Sequence, residues 1–141
     1  IDYEQLTRLG ERVLELHDDF PKGINVSLVK VLDSNRIFVA TYERGAGITA
    51  SCGTAMTASA TAAALLKRTA AGERIDVTNR GGKVFCTTRL DGDKIVTKLA
   101  GNATFVWWGS ASFENGVLSY DVESNTGEQA LWQEFVERLN R

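Results

Sequence analysis

The feature that most constrains the fold of this chain is the stretch 52–66, which contains no charged side chain. Most of its residues are Ala, Thr or Ser, and a helix without a polar face is normally enclosed by protein on all sides. Lys67 and Arg68 suit the C-terminal end of such a helix, and Gly72 can follow it as a stop. We therefore predict a central helix from about Cys52 to Arg68, with strands packed closely around its small side chains.

Runs of β-branched and aromatic residues surround this helix in the sequence, and Gly, Asn and Asp separate them. The predicted strands are 24–32, 36–43, 74–80, 83–90, 94–100, 103–113 and 117–123. Apolar residues at three- and four-residue steps predict two more helices, over 2–20 and from about 127. The expected fold is α+β: antiparallel strands forming a barrel-like sheet around the central helix. We expect a single domain over 1–141, with 114–141 as a strand plus helix tail.

Charge and composition exclude several classes of function. Lys and Arg number 16 against 18 Asp and Glu, and no basic cluster occurs along the sequence. Nucleic acid and anionic membranes are therefore not expected partners. No apolar run reaches the roughly 18 residues that span a bilayer. Two cysteines are too few for a disulfide framework, which favours a cytoplasmic protein, and with one histidine they are too few for a structural metal site.

A cysteine stands at the predicted start of the uncharged helix, after the glycine-rich run 43–47. Cys52 there meets the positive end of the helix dipole and unpaired backbone N–H groups, both of which stabilise a thiolate. The amides of Gly53 and Thr54 can hold a carboxylate. Glu43 and Arg44 add an adjacent acid and base just upstream. The segment predicts a thiol base beside an anion site.

The hairpin formed by 24–32 and 36–43 permits a geometric prediction. If its turn centres on Ser34, cross-strand partners sum to 68 and Asn25 lies opposite Glu43. A two-residue turn at Ser34–Asn35 would instead pair Asn25 with Arg44. In either register Asn25 reaches the open end of the hairpin, beside the helix start at Cys52.

Other features of the sequence have plainer interpretations. Cys86 sits among apolar strand residues and is expected to fill the core, and His17 is expected to lie on the surface or in packing. Glu43 and Arg44 by themselves could be a solvated strand end. The spacing Gly45-x-Gly47-x-x-Ala50 loosely matches a dinucleotide-binding fingerprint. That alternative requires a parallel sheet and an apolar strand end, whereas this chain shows hairpins and a charged strand end.

With Cys52 in place, the chain resembles the C-terminal half of the diaminopimelate epimerase family. The family pattern is Glu-Arg-Gly-Ala-Gly-Glu-Thr leading to Ala-Cys-Gly-Thr-Gly at a helix start, and here it stands as ERGAGITASCGT. Upstream, LELHDDFPKGINVSLV is similar to the family's helix, Phe-Pro break and Asn-bearing strand. Downstream, IDVTNRGGKVF and KLAGNATFVW resemble its last strands. The resemblance covers about residues 2–113.

The resemblance implies a cofactor-independent epimerase with two lobes, each a strand barrel around a central helix, and the substrate in the cleft between them. Two cysteines on opposite faces of the α-carbon exchange its proton, which would invert LL-diaminopimelate to the meso form in lysine and peptidoglycan precursor synthesis. The family roles fall on one catalytic thiol, Cys52, and on substrate-binding groups: Gly53 and Thr54 for the reacting carboxylate, and Asn25, Glu43 and Arg44 for the distal amino-acid head.

The expected partners are thus a small amino-acid substrate and an N-terminal lobe with the second cysteine, which this chain does not contain. The isolated chain is expected to be inactive. Whether the parent protein forms a homodimer is left open.

Three positions depart from the family pattern. Ile48 stands where the pattern has Glu, Ala55 where it has Gly, and Ser51 where it has Ala. The loss of a carboxylate at Ile48 bears on the substrate rather than on the thiol chemistry. The alternative function is a diverged or non-catalytic lobe of the same fold that binds a ligand or partner without turnover.

Overall fold

The computed structural model describes residues 1–140, which form two compact units: Ile1–Gly101 and a second that begins at Asn102. The fold class is α+β. Over the described residues the elements are α1 (Tyr3–Leu14), β1 (Val26–Asp33), β2 (Arg36–Glu43), β3 (Gly47–Thr49), α2 (Gly53–Leu65), β4 (Arg74–Asn79), β5 (Gly82–Asp91), β6 (Lys94–Gly101), β7 (Trp107–Glu114), β8 (Val117–Asn125) and α3 (Glu128–Leu139).

The first unit contains a mixed sheet rather than the antiparallel one predicted. Its strand order is β1-β2-β4-β5-β6, and the short strand β3 pairs with β2. All pairs are antiparallel except β2 with β4, where Ile37 lies opposite Val77 in a parallel register. Parallel neighbours need a long crossover connection, which α2 supplies here. The prediction was wrong at this pair because it followed only local hairpin signals.

The expected barrel around a central helix is not confirmed. Within the described residues β1 and β6 end the strand order, so the sheet is open. One face of α2 packs on the sheet, through Met56, Ala60 and Ala63 against a core that includes Ile37 and Val77. The opposite face, at Ala58 and Ala62, is exposed.

Helix α1 is shorter than predicted. Asp2 caps its start by accepting a hydrogen bond from Gln5 N at 2.9 Å, but the helix ends at Leu14 instead of continuing to 20. Turns occupy most of the segment that follows. This segment contains Asp residues of low helix propensity and leads to Pro21, which disfavours helical backbone at the residue before it. The helix packs on β1 and β2, where Leu6 is fully buried.

The second unit consists of the β7–β8 hairpin and α3. In the hairpin Ala111 lies opposite Tyr120, and Phe113 lies opposite Leu118. The large side chains of Phe113, Leu118 and Tyr120 are exposed. Thr126, between β8 and α3, donates a hydrogen bond to Val106 O at 3.2 Å. This contact ties the start of α3 to the residue before β7.

Gly10 provides a test of how α1 packs. A Cβ atom added there would lie 2.3 Å from the Tyr42 ring on β2, so the helix and strand approach each other through a gap that only glycine fits. Replacing a glycine inside a helix with alanine normally stabilises by about 1 kcal/mol. We expect Gly10→Ala to destabilise instead, by about 1–3 kcal/mol, because overpacking is costlier. Urea unfolding measures the change.

The matched control is the same substitution in a Tyr42→Ala background. There the obstacle is gone, and Gly10→Ala should be neutral or stabilising. A stabilising effect of Gly10→Ala in the otherwise unchanged chain would contradict this packing.

Candidate active site at the start of the uncharged helix

The β1–β2 hairpin brings the predicted polar residues to one end of the sheet. Val26 pairs with Tyr42 and Val31 with Ile37, so partners sum to 68 as the first predicted register requires. The turn itself has the two residues of the second predicted register, since Asp33 pairs with Arg36 across Ser34 and Asn35. The register shifts between Val31 and Asp33. Asn25 directly precedes β1, and Arg44 directly follows β2.

Cys52 is the N-cap residue of α2, with extended backbone angles of φ −138° and ψ 103°. Its carbonyl accepts the first helical hydrogen bond, from Met56 N at 2.9 Å, and its side chain makes no capping bond. The N–H groups of the first helical turn, at Gly53 and Thr54, have no carbonyl partner within the helix. A half-buried thiol therefore stands beside backbone donors and the positive end of a helix dipole.

The glycine-rich run forms a different structure from a dinucleotide-binding turn. Gly47 pairs with Glu43 in an antiparallel register, so Gly45 lies in the turn of a second hairpin between β2 and β3. A dinucleotide fingerprint instead requires these glycines to lead from a strand directly into the helix. Here β3 intervenes, and the geometry does not support that alternative.

The Asn25 amide connects the hairpin end to the thiol. Its Oδ1 accepts a hydrogen bond from Arg44 N at 3.0 Å, and its Nδ2 lies 4.0 Å from Cys52 Sγ in donor geometry. Thr54 Oγ1 lies 3.4 Å from the same sulfur. Polar atoms of Asn25 and Thr54 thus contact the thiol from two separate parts of the chain.

Arg44 and Glu43 are both held by neighbouring groups. The NH1 group of Arg44 donates to Lys22 O at 2.6 Å and to Gly23 O at 2.8 Å. A guanidinium has five N–H donors, so these two bonds orient the group while leaving it able to bind an anion. The Glu43 carboxylate accepts a hydrogen bond from Thr49 Oγ1 at 2.5 Å. These bonds orient the guanidinium of Arg44 and the carboxylate of Glu43, each against a different part of the chain.

A cavity of about 520 Å³ opens between β1 and α2. Its polar lining includes Asn25, Arg44 and Thr54, and its apolar lining comes from the small side chains of α2, including Ala55 and Ala58. The cavity is large enough for an amino acid of moderate size.

Five of the six predicted site residues lie together, whereas the side chain of the sixth, Glu43, makes its contact elsewhere. The structure joins Asn25, Arg44, Cys52 and Thr54 by direct contacts around one end of the sheet. Gly53 lies at the same helix start, while the Glu43 carboxylate contacts Thr49 on β3. The contact with Thr49 was not predicted because a three-residue strand leaves no recognisable pattern in the sequence.

Two other predictions concern residues away from the thiol. Cys86 is 1% exposed and belongs to the core, as expected, and burial raises the pKa of its thiol. His17 is exposed, also as expected.

Over residues 1–140 no three His, Cys, Asp or Glu side chains are grouped as a metal site would require. None of the described helices combines the length and apolar character needed to cross a membrane.

Comparison with known proteins agrees with the motif around Cys52. The family described as "Diaminopimelate epimerase" matches residues 1–106. The chain belongs to the diaminopimelate epimerase family. It is similar to the diaminopimelate epimerase of Listeria innocua, with 42% identity over 86% of this chain and 37% of that protein. The same enzyme from Enterococcus faecalis is 38% identical over 100% of this chain and 46% of its own length.

A third relative, the diaminopimelate epimerase of Clostridium acetobutylicum, is 38% identical over 81% of this chain and 34% of its own. The chain therefore spans less than half the length of these curated relatives. The match to the family description ends at residue 106, just ahead of β7.

The different surroundings of the two cysteines predict different reactivity. With iodoacetamide at pH 8 under native conditions, Cys52 should be alkylated more than about tenfold faster than Cys86, because a buried thiol with a raised pKa is seldom an accessible thiolate. Peptide mass spectrometry assigns the label to each cysteine. Unfolding in urea is the control and should remove most of the difference. Equal native rates would contradict the burial of Cys86.

Proposed function

We propose that this chain is the catalytic-thiol lobe of a cofactor-independent amino-acid epimerase acting on LL- and meso-diaminopimelate in the cytoplasm, for lysine and peptidoglycan precursor synthesis. The observation that carries the proposal is the Asn25 amide, which contacts both Arg44 N and the Cys52 thiol. It links a group suited to recognising an amino-acid head with a group suited to moving a proton.

The proton transfer assigns Cys52 to one face of the substrate α-carbon. Its thiolate takes the α-proton, and the electron pair of the broken C–H bond moves into the carboxylate to give an enediolate-like anion. A thiol of the second lobe then donates a proton to the opposite face, which inverts the centre. The products are the other stereoisomer, the Cys52 thiol and the thiolate of the other cysteine. In the reverse direction Cys52 is the acid.

The helix start would stabilise the charge that develops during this transfer. The amides of Gly53 and Thr54 can donate to the reacting carboxylate, and preorganised donors of this kind are among the largest contributions to catalysis. Thr54 Oγ1 also lies 3.4 Å from Cys52 Sγ, so one residue adjoins both the acid/base group and the carboxylate site.

The distal head of diaminopimelate carries its own carboxylate and ammonium groups. Arg44 would bind that carboxylate and Glu43 would bind the ammonium, since each side chain carries the charge opposite to that of its substrate group. Both side chains are already oriented by hydrogen bonds to neighbouring groups. This pair would select a substrate with a second zwitterionic end. Ile48 stands where the family pattern has Glu. It lies on β3 next to Thr49 and pairs with Tyr42 of β2.

Cysteine substitutions in the full-length protein test the proposal. Cys52→Ala should reduce the rate of conversion of LL- to meso-diaminopimelate by about 10³-fold or more, because a general acid/base group typically contributes 10²–10⁴-fold and both directions need this thiol. The stereochemical assay follows product by chiral chromatography. Cys86→Ala is the matched control, in which the same atom is removed from the core, and it should keep most of the activity.

Near-wild-type turnover by Cys52→Ala would refute the assignment. A protein that binds diaminopimelate but neither epimerises it nor exchanges its α-proton in D₂O would instead support the alternative of a non-catalytic binding lobe.

The isolated 141-residue chain should not epimerise diaminopimelate, because return of a proton from the opposite face needs the second thiol. Proton NMR in D₂O reports the α-proton signal and the ratio of stereoisomers over hours. The full-length protein, assayed at the same concentration, is the positive control. Conversion by the isolated chain at a comparable rate would contradict the two-thiol mechanism.

A further inference from the structure

The turn between β4 and β5 lies directly against the residues that lead into Cys52. Asn79, the last residue of β4, is 4% exposed. Its Nδ2 donates to Ser51 Oγ at 2.9 Å and also lies 2.9 Å from Met56 Sδ, while its Oδ1 accepts from Gly81 N at 3.0 Å. A buried amide is thus satisfied entirely by the turn and by the segment around the start of α2.

A backbone contact connects the same two segments. Gly81 N also donates to Ala50 O at 2.9 Å. A Cβ atom at Gly81 would lie 2.9 Å from that oxygen and 3.1 Å from Ser51 Cβ, so only glycine permits this approach. Residues 50 and 51 are therefore held at a backbone oxygen and at a side-chain hydroxyl, immediately before the thiol.

The side-chain contact depends on the hydroxyl of Ser51. Ser51 stands where the family pattern described above has Ala, which has no hydroxyl to accept a bond from Asn79. The Ser51 hydroxyl, in turn, lies 3.7 Å from Met56 Sδ on the first turn of α2. Asn79, Ser51 and Met56 are therefore in mutual contact at the start of α2.

We infer that Asn79 is a positioning residue for Cys52. It acts through Ser51 and Gly81, holding the strand-to-helix connection so that Cys52 takes the N-cap position with its sulfur near Asn25 and Thr54. Asn79 makes no contact of its own with the thiol. The consequence for turnover rests on the proposed function, but the consequence for thiol reactivity does not.

The test substitutes Asn79→Leu, which keeps the side-chain size and removes both hydrogen-bonding atoms. We expect iodoacetamide to alkylate Cys52 about threefold to tenfold more slowly at pH 7, because a thiol released from its contacts with Asn25 and Thr54 no longer lies beside the free N–H groups of the helix start. In the full-length protein kcat should fall by about tenfold while KM changes by less than about twofold, as expected where the chemical step and not substrate binding is affected.

Ser51→Ala should act in the same direction, about threefold, because it removes one of the two attachments. The double variant should be no slower than Asn79→Leu alone, since residues that act through one contact are not additive. Thr88→Val is the matched control: Thr88 is also a buried polar residue of this sheet, but its hydroxyl bonds to Thr97. It should leave Cys52 alkylation unchanged, although it removes a buried hydrogen bond.

Wild-type alkylation of Cys52 in folded Asn79→Leu, or additive effects in the double variant, would overturn the inference. If Asn79→Leu does not fold, wild-type alkylation and kcat in Ser51→Ala overturn it. Because alkylation needs no turnover, the positioning role of Asn79 and the proposed epimerase function can be refuted separately. Epimerisation that survives Cys52→Ala removes the proposed function, whatever Asn79 does to the thiol.

Discussion

The packing of small side chains on α2 against the sheet is the constraint on which the rest of the first unit depends. Ala60 and Ala63 are buried against Ile37 of β2 and Val77 of β4. The helix also makes the crossover that sets these two strands parallel, so its position determines the centre of the sheet. Larger or charged side chains on this face would separate the helix from the strands and carry Cys52 away from the hairpin end.

The placement of Cys52 follows from two independent attachments of that helix start. On one side Asn25 reaches it from the β1–β2 hairpin, and on the other Asn79 and Gly81 hold the preceding residues. Neither contact involves neighbours in sequence. A reactive residue at the junction of elements distant in the chain can be held rigidly, which acid/base chemistry at a carbon atom requires.

Much of this arrangement could be predicted from the sequence where local patterns are strong. The uncharged stretch predicted α2, which ends at Leu65 instead of Arg68. The hairpin arithmetic predicted that Asn25 reaches the open end of the hairpin with Glu43 and Arg44. The two-residue turn and the register of the strands matched different alternatives, because the register shift near Asp33 accommodates both. The parallel pairing of β2 with β4, the short strand β3 and the partners of Asn79 depend on contacts far apart in the chain. No local periodicity reports such contacts.

A crystal structure of the full-length protein with diaminopimelate bound would test the role of Cys52 most directly. We expect Cys52 Sγ to lie about 3–3.5 Å from the substrate α-carbon, the spacing of a reactive pair. The reacting carboxylate should bind to the amides of Gly53 and Thr54, and the distal head should lie at Arg44. A substrate bound with its α-carbon out of reach of Cys52, or with its distal head at the start of α2, would refute the role of Cys52 as the acid/base group.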